Sequence, residues 1–235
     1  MKFIVQKEIF DQLDNLYIGV VIAKGIDNSM DYPNIEKLLK ESIELAENKY
    51  LDKKVKEDEM IIPYREAFQK LGINPNKYQC SVEAMFSRIS KGKQLPNINP
   101  LVDLNNAISL KYTLPMGTHD LSKNNLDIEM RYATPEDIFI PMGTDEQDNP
   151  ETGEIVYAVG NDIRTRRWTW RQSNSGKIDD KTNFVFFPID GFKGFNDDKV
   201  NEAIKELSTV LKENFDCEIS TGFVDKDNQS FEWNL

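Results

Sequence analysis

Little in this chain names a chemistry. Its 235 residues include one histidine and two cysteines. There is no Gly-rich phosphate loop, no metal-ligand spacing and no nucleophile–base signature, so no metal or other cofactor is expected. No apolar run approaches the roughly 20 residues that a membrane helix needs, which argues against a membrane partner. The opening M-K-F-I-V-Q-K-E-I-F carries charges inside its apolar stretch and has no small-residue cleavage site. It reads as a strand, not a signal peptide. Cys80 and Cys217 share no motif, so a disulfide framework is not expected and a reducing cytoplasm is the expected compartment. Each reads as a buried, inert thiol. The absence of repeats, low-complexity tracts and Pro-rich linkers points to one domain over residues 1–235.

What is present is acid. The chain has 40 Asp and Glu against 29 Lys and Arg, a formal net charge of −11. Broad attraction to nucleic acid draws on surplus Lys and Arg, so DNA is not an expected partner and any RNA contact has to come from a local patch.

Periodicity gives the elements. Phe3 to Ile9 and Leu16 to Ile22 are short, apolar and β-branched, which predicts a hairpin or two neighbouring strands. Ile35, Leu38, Leu39, Ile43 and Leu45 predict a long helix running on toward Lys56. Tyr64 to Leu71 reads as a helix stopped by Gly72. Ser81 suits an N-cap, with Val82, Met85, Phe86 and Ile89 turned inward. Asn99 and Pro100 open a helix whose apolar face is Leu101, Leu104, Ala107, Ile108 and Leu110. Strands follow at 126–132, 137–140, 155–159, 163–171 and 184–189, then a helix over 198–215 and a strand over 217–224. This order predicts an α+β fold, with helices packed on a largely antiparallel mixed sheet.

Three places have residues suited to a site. On the Asn99-capped helix, Asp103 and Asn106 share a face beside Asn105. They read either as a polar pocket wall or as local capping and bridging. His119 is the one side chain able to move protons near neutral pH without a shifted pKa, yet it has no identifiable Ser or Cys partner. From Asp162 to Asp179 the charge reverses, with Arg164, Arg166, Arg167, Arg171 and Lys177 and no acid between. As a strand, this segment sets Arg164, Arg166, Trp168 and Trp170 on one side. Arginine beside an aromatic suits a phosphate, a carboxylate or a stacked base. Equally, the Trp rings belong to a core and the Arg side chains pair with acids. Arg65 and Arg88, with Tyr64, lie on the helical group within reach of the same space.

The stretch from Ile61 to Asp120 holds I-P-Y-R-E-A-F-Q-K-L-G, L-V-D-L-N-N-A-I-S-L and L-P-M-G-T-H-D. It resembles the B-three/B-four domain, the tRNA-editing domain of the phenylalanyl-tRNA synthetase β subunit, and is closer still to the free-standing bacterial form. The resemblance covers about residues 61–190. It implies a mixed α/β architecture and an amino-acid-sized pocket in which an activated water removes a wrongly attached amino acid from tRNA. The partner implied is tRNA, or the aminoacyl-tRNA terminus. Asn105 and Asn106 fall where the synthetase has Thr-Asn, and Gly117 falls where it has a histidine after Pro-Met, with His119 two residues on. Arg171, Gln172 and Ser173 fall where it has a Gly-Gly-Glu turn that recognises the tyrosine hydroxyl. The roles implied are His119 and Asn106 for catalysis, Asn105 and Arg167 to position the ester, and Trp168 to Arg171 to meet the tRNA terminus. Against this enzyme stands a second expectation, a ligand- or RNA-binding module that has lost the chemistry.

Overall fold

The computed structural model describes residues 1–123 and 125–235. Among them the chain forms ten strands and six α-helices. In order these are β1 (Lys2–Val5), α1 (Ile9–Gln12), β2 (Leu16–Lys24), α2 (Pro33–Tyr50), α3 (Ile62–Lys70), α4 (Ser81–Ile89) and α5 (Pro100–Tyr112). Then come β3 (His119–Asp120), β4 (Ile128–Tyr132), β5 (Ile155–Val159), β6 (Asp162–Arg166), β7 (Arg171–Gln172), β8 (Phe184–Phe192), α6 (Asp197–Phe215), β9 (Glu218–Val224) and β10 (Ser230–Glu232). Two sheets result. One has the order β10-β1-β4-β5-β6-β7 and the other β3-β8-β2-β9. Every pairing of named strands is antiparallel except β1 with β4. The α+β class and the mostly antiparallel pairing are those the periodicity predicts, although the strands form two sheets where one was expected.

β2 lies at the centre, and its run L-Y-I-G-V-V-I-A is apolar throughout because both of its faces are covered. Ile18, Val20 and Ile22 turn toward the first sheet, where Phe3 meets Phe186 at 5.0 Å and stacks on Tyr157 at 5.8 Å. The alternate residues Tyr17, Val21 and Ala23 turn toward α5 and α6. On that side Gly19 faces α6 so closely that an added Cβ would lie 2.6 Å from Val200 Cγ1 and 2.8 Å from Ile204 Cδ1. Overpacking of this kind costs roughly 1–3 kcal/mol. Gly19→Ala is therefore expected to lose about that much in urea unfolding, and a loss below ~0.5 kcal/mol would show that α6 moves freely.

Several predicted elements need correction. β1 and β2 do not form a hairpin or sit side by side, since they belong to different sheets. Ile9 and Phe10 are both buried, which neighbouring residues on a one-sided strand cannot achieve, and the chain there makes the single helical turn α1. α2 stops at Tyr50 and does not continue toward Lys56. The Tyr50 ring is buried, its hydroxyl donates to Asp58 Oδ2 at 2.9 Å, and Asp52 takes a left-handed φ of 58°. In α4 the N-cap is Cys80, and Ser81 is the first helical residue. Residues 137–140 contribute only the isolated bridge from Ile138 to Asp162.

The strand predicted over 163–171 is broken in two. β6 ends at Arg166, then Arg167 and Trp168 adopt φ of 46° and 60°, and the chain returns as β7, with Thr165 opposite Gln172. Strict alternation ends at this turn, so Arg164, Arg166, Trp168 and Trp170 do not share a face as a flat strand would place them.

Candidate functional site

Helix α5 forms one wall. Asn99 Oδ1 accepts from the Val102 backbone N–H at 3.1 Å, capping the helix as predicted, and Pro100 fills its first turn. Leu101, Leu104 and Ile108 are buried toward β8 and α6, which leaves Asn105 and Asn106 on an adjoining face. The helix ends at Thr113, whose φ is 58°. The chain then runs along β8. Met116 bridges Ile189, the Gly117 N–H donates to the Pro188 carbonyl at 3.1 Å, and His119 pairs with Phe186. This alignment sets Pro115–His119 antiparallel beside Phe186–Asp190, with the Asp190 N–H donating to the Pro115 carbonyl at 2.9 Å. The opposite wall is the turn between β6 and β7, tied to the first by Gln172, whose Nε2 donates to the Thr118 and Gly176 carbonyls.

Between the walls is a cavity of about 250 Å³. That is below the ~300–1,000 Å³ of drug-sized ligand sites and fits one small group. Asn105, Asn106, Gly117, His119, Trp168, Trp170 and Arg171 all line it. The helix face and the Arg–Trp segment singled out in the sequence therefore meet across one space.

The remaining candidates do not line it. Asp103 is turned away, accepting from Asn97 Nδ2 at 3.2 Å and the Ile98 N–H at 2.8 Å, the local bridging its spacing also allowed. Arg65 is held by Glu83 at 2.5 Å, and Arg88 donates to the Gln94 carbonyl at 2.7 Å. Arg166 is paired with Glu154 and Asp148. Arg167 is paired with Glu154 at 2.8 Å and its guanidinium lies 4.1 Å from the Tyr78 ring and 4.9 Å from that of Trp170. Ser173 Oγ lies 2.8 Å from Ser175 Oγ. Most of the arginine charge in this segment is thus already neutralised by acids.

The sequence reading missed Asp190, which lines the cavity and is 2% exposed. Its Oδ1 accepts from Tyr157 Oη at 2.8 Å and Trp168 Nε1 at 2.6 Å. Its backbone carbonyl accepts from Tyr64 Oη at 2.8 Å, and Tyr64 is in turn bonded by Asn196 Nδ2. Burial pushes the Asp190 carboxyl up to about 7, while the two side-chain donors pull the other way. The available signal was an acid inside the otherwise apolar run F-V-F-F-P-I-D-G-F.

His119 is the reverse case. Burial, with Arg164 nearby, pushes its imidazole down to about 3, so the ring is neutral at neutral pH. It stacks near Tyr157 and Phe186, both at 5.7 Å. Three buried polar atoms on cavity residues have no partner among the described residues: Asn105 Oδ1, His119 Nδ1 and Thr169 Oγ1. Ser81, also in the wall, donates to the Met116 carbonyl at 3.4 Å and not to His119. Of the cysteines, Cys80 is buried and its thiol is pushed up to about 12 by burial. Among the described residues no group of three or more His, Cys, Asp or Glu is placed to hold a metal ion, and no helix is long and apolar enough to cross a membrane.

Two sheets, a helical layer and a small open cavity of mixed polar and apolar lining define an α+β domain with a likeness among solved structures. It is similar to an N-terminal fragment of the phenylalanyl-tRNA synthetase beta-subunit from Pyrococcus horikoshii, with a TM-score of 0.52 and 13% identity, over 92% of this chain and 49% of that one. At that identity the likeness is one of fold, and this chain spans about half the length of the fragment. The B3/4 domain family matches residues 63–216, well over half of the sequence, and the chain belongs to that family. No match to it is found among curated proteins.

Proposed function

We propose that this domain takes the aminoacyl end of a tRNA into the cavity and hydrolyses the ester of a wrongly attached amino acid in trans. The observation that carries the reading is the single space shared by Asn105 and Asn106 of α5 and by the turn from Trp168 to Gln172, within a B3/4 fold. The unpartnered Asn105 Oδ1 and Thr169 Oγ1 give a ligand directional contacts, because buried polar atoms left unbonded are costly. His119 is too weakly basic to carry a proton at neutral pH. Its role in this reading is to orient the attacking water through a neutral ring nitrogen.

The tRNA terminus meets the mouth of the cavity. The Trp170 ring has the guanidinium of Arg171 5.9 Å away, and Arg171 is exposed with no acid partner among the described residues. A stacked base and one phosphate suit that pair. One phosphate contact implies a shallow salt dependence, with a slope near ~1, in keeping with a net charge of −11.

A panel of mischarged tRNAs tests this. At least one is expected to lose its amino acid at ten or more times the blank rate, and Asn106→Ala to remove most of that gain. Deacylation at the blank rate for every amino acid ends the hydrolytic reading. A second reading, a module that binds an amino-acid-sized ligand and leaves it unchanged, is favoured by one observation: the only histidine has a pKa far below that of a working base. A ligand recovered intact from the protein after long incubation would support it.

A further inference from the structure

Asp190 lies in β8 after Phe186, Phe187, Pro188 and Ile189, all of them apolar. Burying a carboxyl there is costly unless it is bonded, and burying its charge more so unless it is paired. The bonds are present, as Tyr157 Oη and Trp168 Nε1 both reach Oδ1, and Tyr157 and Trp168 are themselves fully buried and fixed. Such donors favour the ionised form. The counter-charge is not present. Asp190 enters no ion pair among the described residues, and its Oδ2 accepts no protein hydrogen bond there.

Elsewhere in the cavity the unpartnered Thr169 Oγ1 can accept as well as donate. Asn105 Oδ1 can only accept, and it too lacks a partner. A group that meets several unpaired acceptors and brings the missing positive charge is an ammonium, with three donors and no acceptor. Met85, Leu95, Val102 and Met116 line the same space and offer an apolar surface for a side chain.

We propose that Asp190 is the subsite for the α-ammonium of an aminoacyl group, so that the cavity selects ligands with a free amine and rejects N-blocked ones. This rests on the aminoacyl reading above and adds to it the chemical class of ligand.

Calorimetric titration at pH 8 with a panel of L-amino-acid amides and their N-acetyl counterparts tests the proposal without tRNA. At least one amide is expected to bind, its N-acetyl form at least ten-fold more weakly. Asp190→Asn, which keeps an oxygen for Tyr157 and Trp168, is expected to lose that factor and no longer tell the two apart. Equal affinity for amide and N-acetyl amide, no binding of any amide, or a folded Asn variant that binds as the wild type does would each overturn the proposal. The amide comparison needs only the wild type, so the test holds if the variant does not fold. Amide binding without deacylation would refute hydrolysis and keep the subsite. Equal hydrolysis of N-acetyl-aminoacyl-tRNA and aminoacyl-tRNA would keep hydrolysis and refute the subsite.

Discussion

Asp190→Asn is expected to gain stability over the wild type as pH rises, by up to ~4 kcal/mol between pH 4 and pH 8. In the folded protein the carboxyl keeps its proton to about pH 7, whereas in the unfolded chain it gives it up near 3.8. Between those values unfolding releases a proton, so rising pH favours unfolding, and above about 7 the loss is complete. A difference of about three in pKa corresponds to ~4 kcal/mol at 1.36 kcal/mol each. Asparagine has no proton to release, and its Oδ1 still accepts from Tyr157 and Trp168.

His119 acts with the opposite sign. Its folded pKa of about 3 lies below the usual 6.5, so the unfolded chain binds the proton first and stability falls as pH drops below 6.5. Between pH 4 and 6.5 the two slopes oppose each other in the wild type. The Asn variant unmasks the histidine slope. Urea unfolding at pH 4, 5, 6, 7 and 8 reads this directly, and a stability gap that stays constant with pH would mean that Asp190 is not held protonated by the fold. A group that the fold keeps at such a cost belongs to a site more readily than to a core.

How much of this was legible in the sequence depends on whether the signal is local. Gly72 and the Asn99-Pro100 pair act through their own backbone chemistry, and the helices start and stop beside them as expected. The stripe Val200, Ala203, Leu207, Leu211 needs only one helix to be seen. The partition of β1 and β2 between two sheets is set by what covers each strand, and an apolar β-branched run looks the same in either sheet. α2 ends where the Tyr50 hydroxyl finds Asp58, a contact that spacing does not encode.

The site divides in the same way. Asn105 and Asn106 stood out as polar residues beside apolar ones, and His119 as the only histidine, and they do share a cavity with Trp168, Trp170 and Arg171. Arg166 and Arg167 pair with acids, one of the two readings that segment allowed, and spacing could not decide between them because Glu154 and Asp148 lie in a separate stretch before β5. Asp190 was passed over although it obeys the same rule as the asparagines. Its neighbours read so strongly as core that one acid among them drew no weight.

Trp168 is where fold and site coincide, and its truncation is expected to be the most damaging single change. The ring is fully buried against Tyr64, Phe68 and Phe192 at 6.2, 6.0 and 5.9 Å, and its N–H supplies one of the two bonds to Asp190. Trp168→Ala is expected to cost ~3–5 kcal/mol for the lost side chain and cavity. Trp168→Phe keeps most of the ring packing and removes the donor. It should therefore cost less in stability, yet raise the pKa of Asp190 above about 7, which the carboxyl signal in an NMR titration would show. The backbone gives a third reading at the same position. With φ at 60°, every L side chain here is strained by roughly 1–2 kcal/mol, and glycine is not. Trp168→Gly should then be about 1 kcal/mol more stable than Trp168→Ala, the reverse of their usual order in an extended chain. If alanine and glycine fall in the usual order and phenylalanine leaves the Asp190 titration in place, the turn is not held in its left-handed form and Trp168 fills space without shaping the carboxyl.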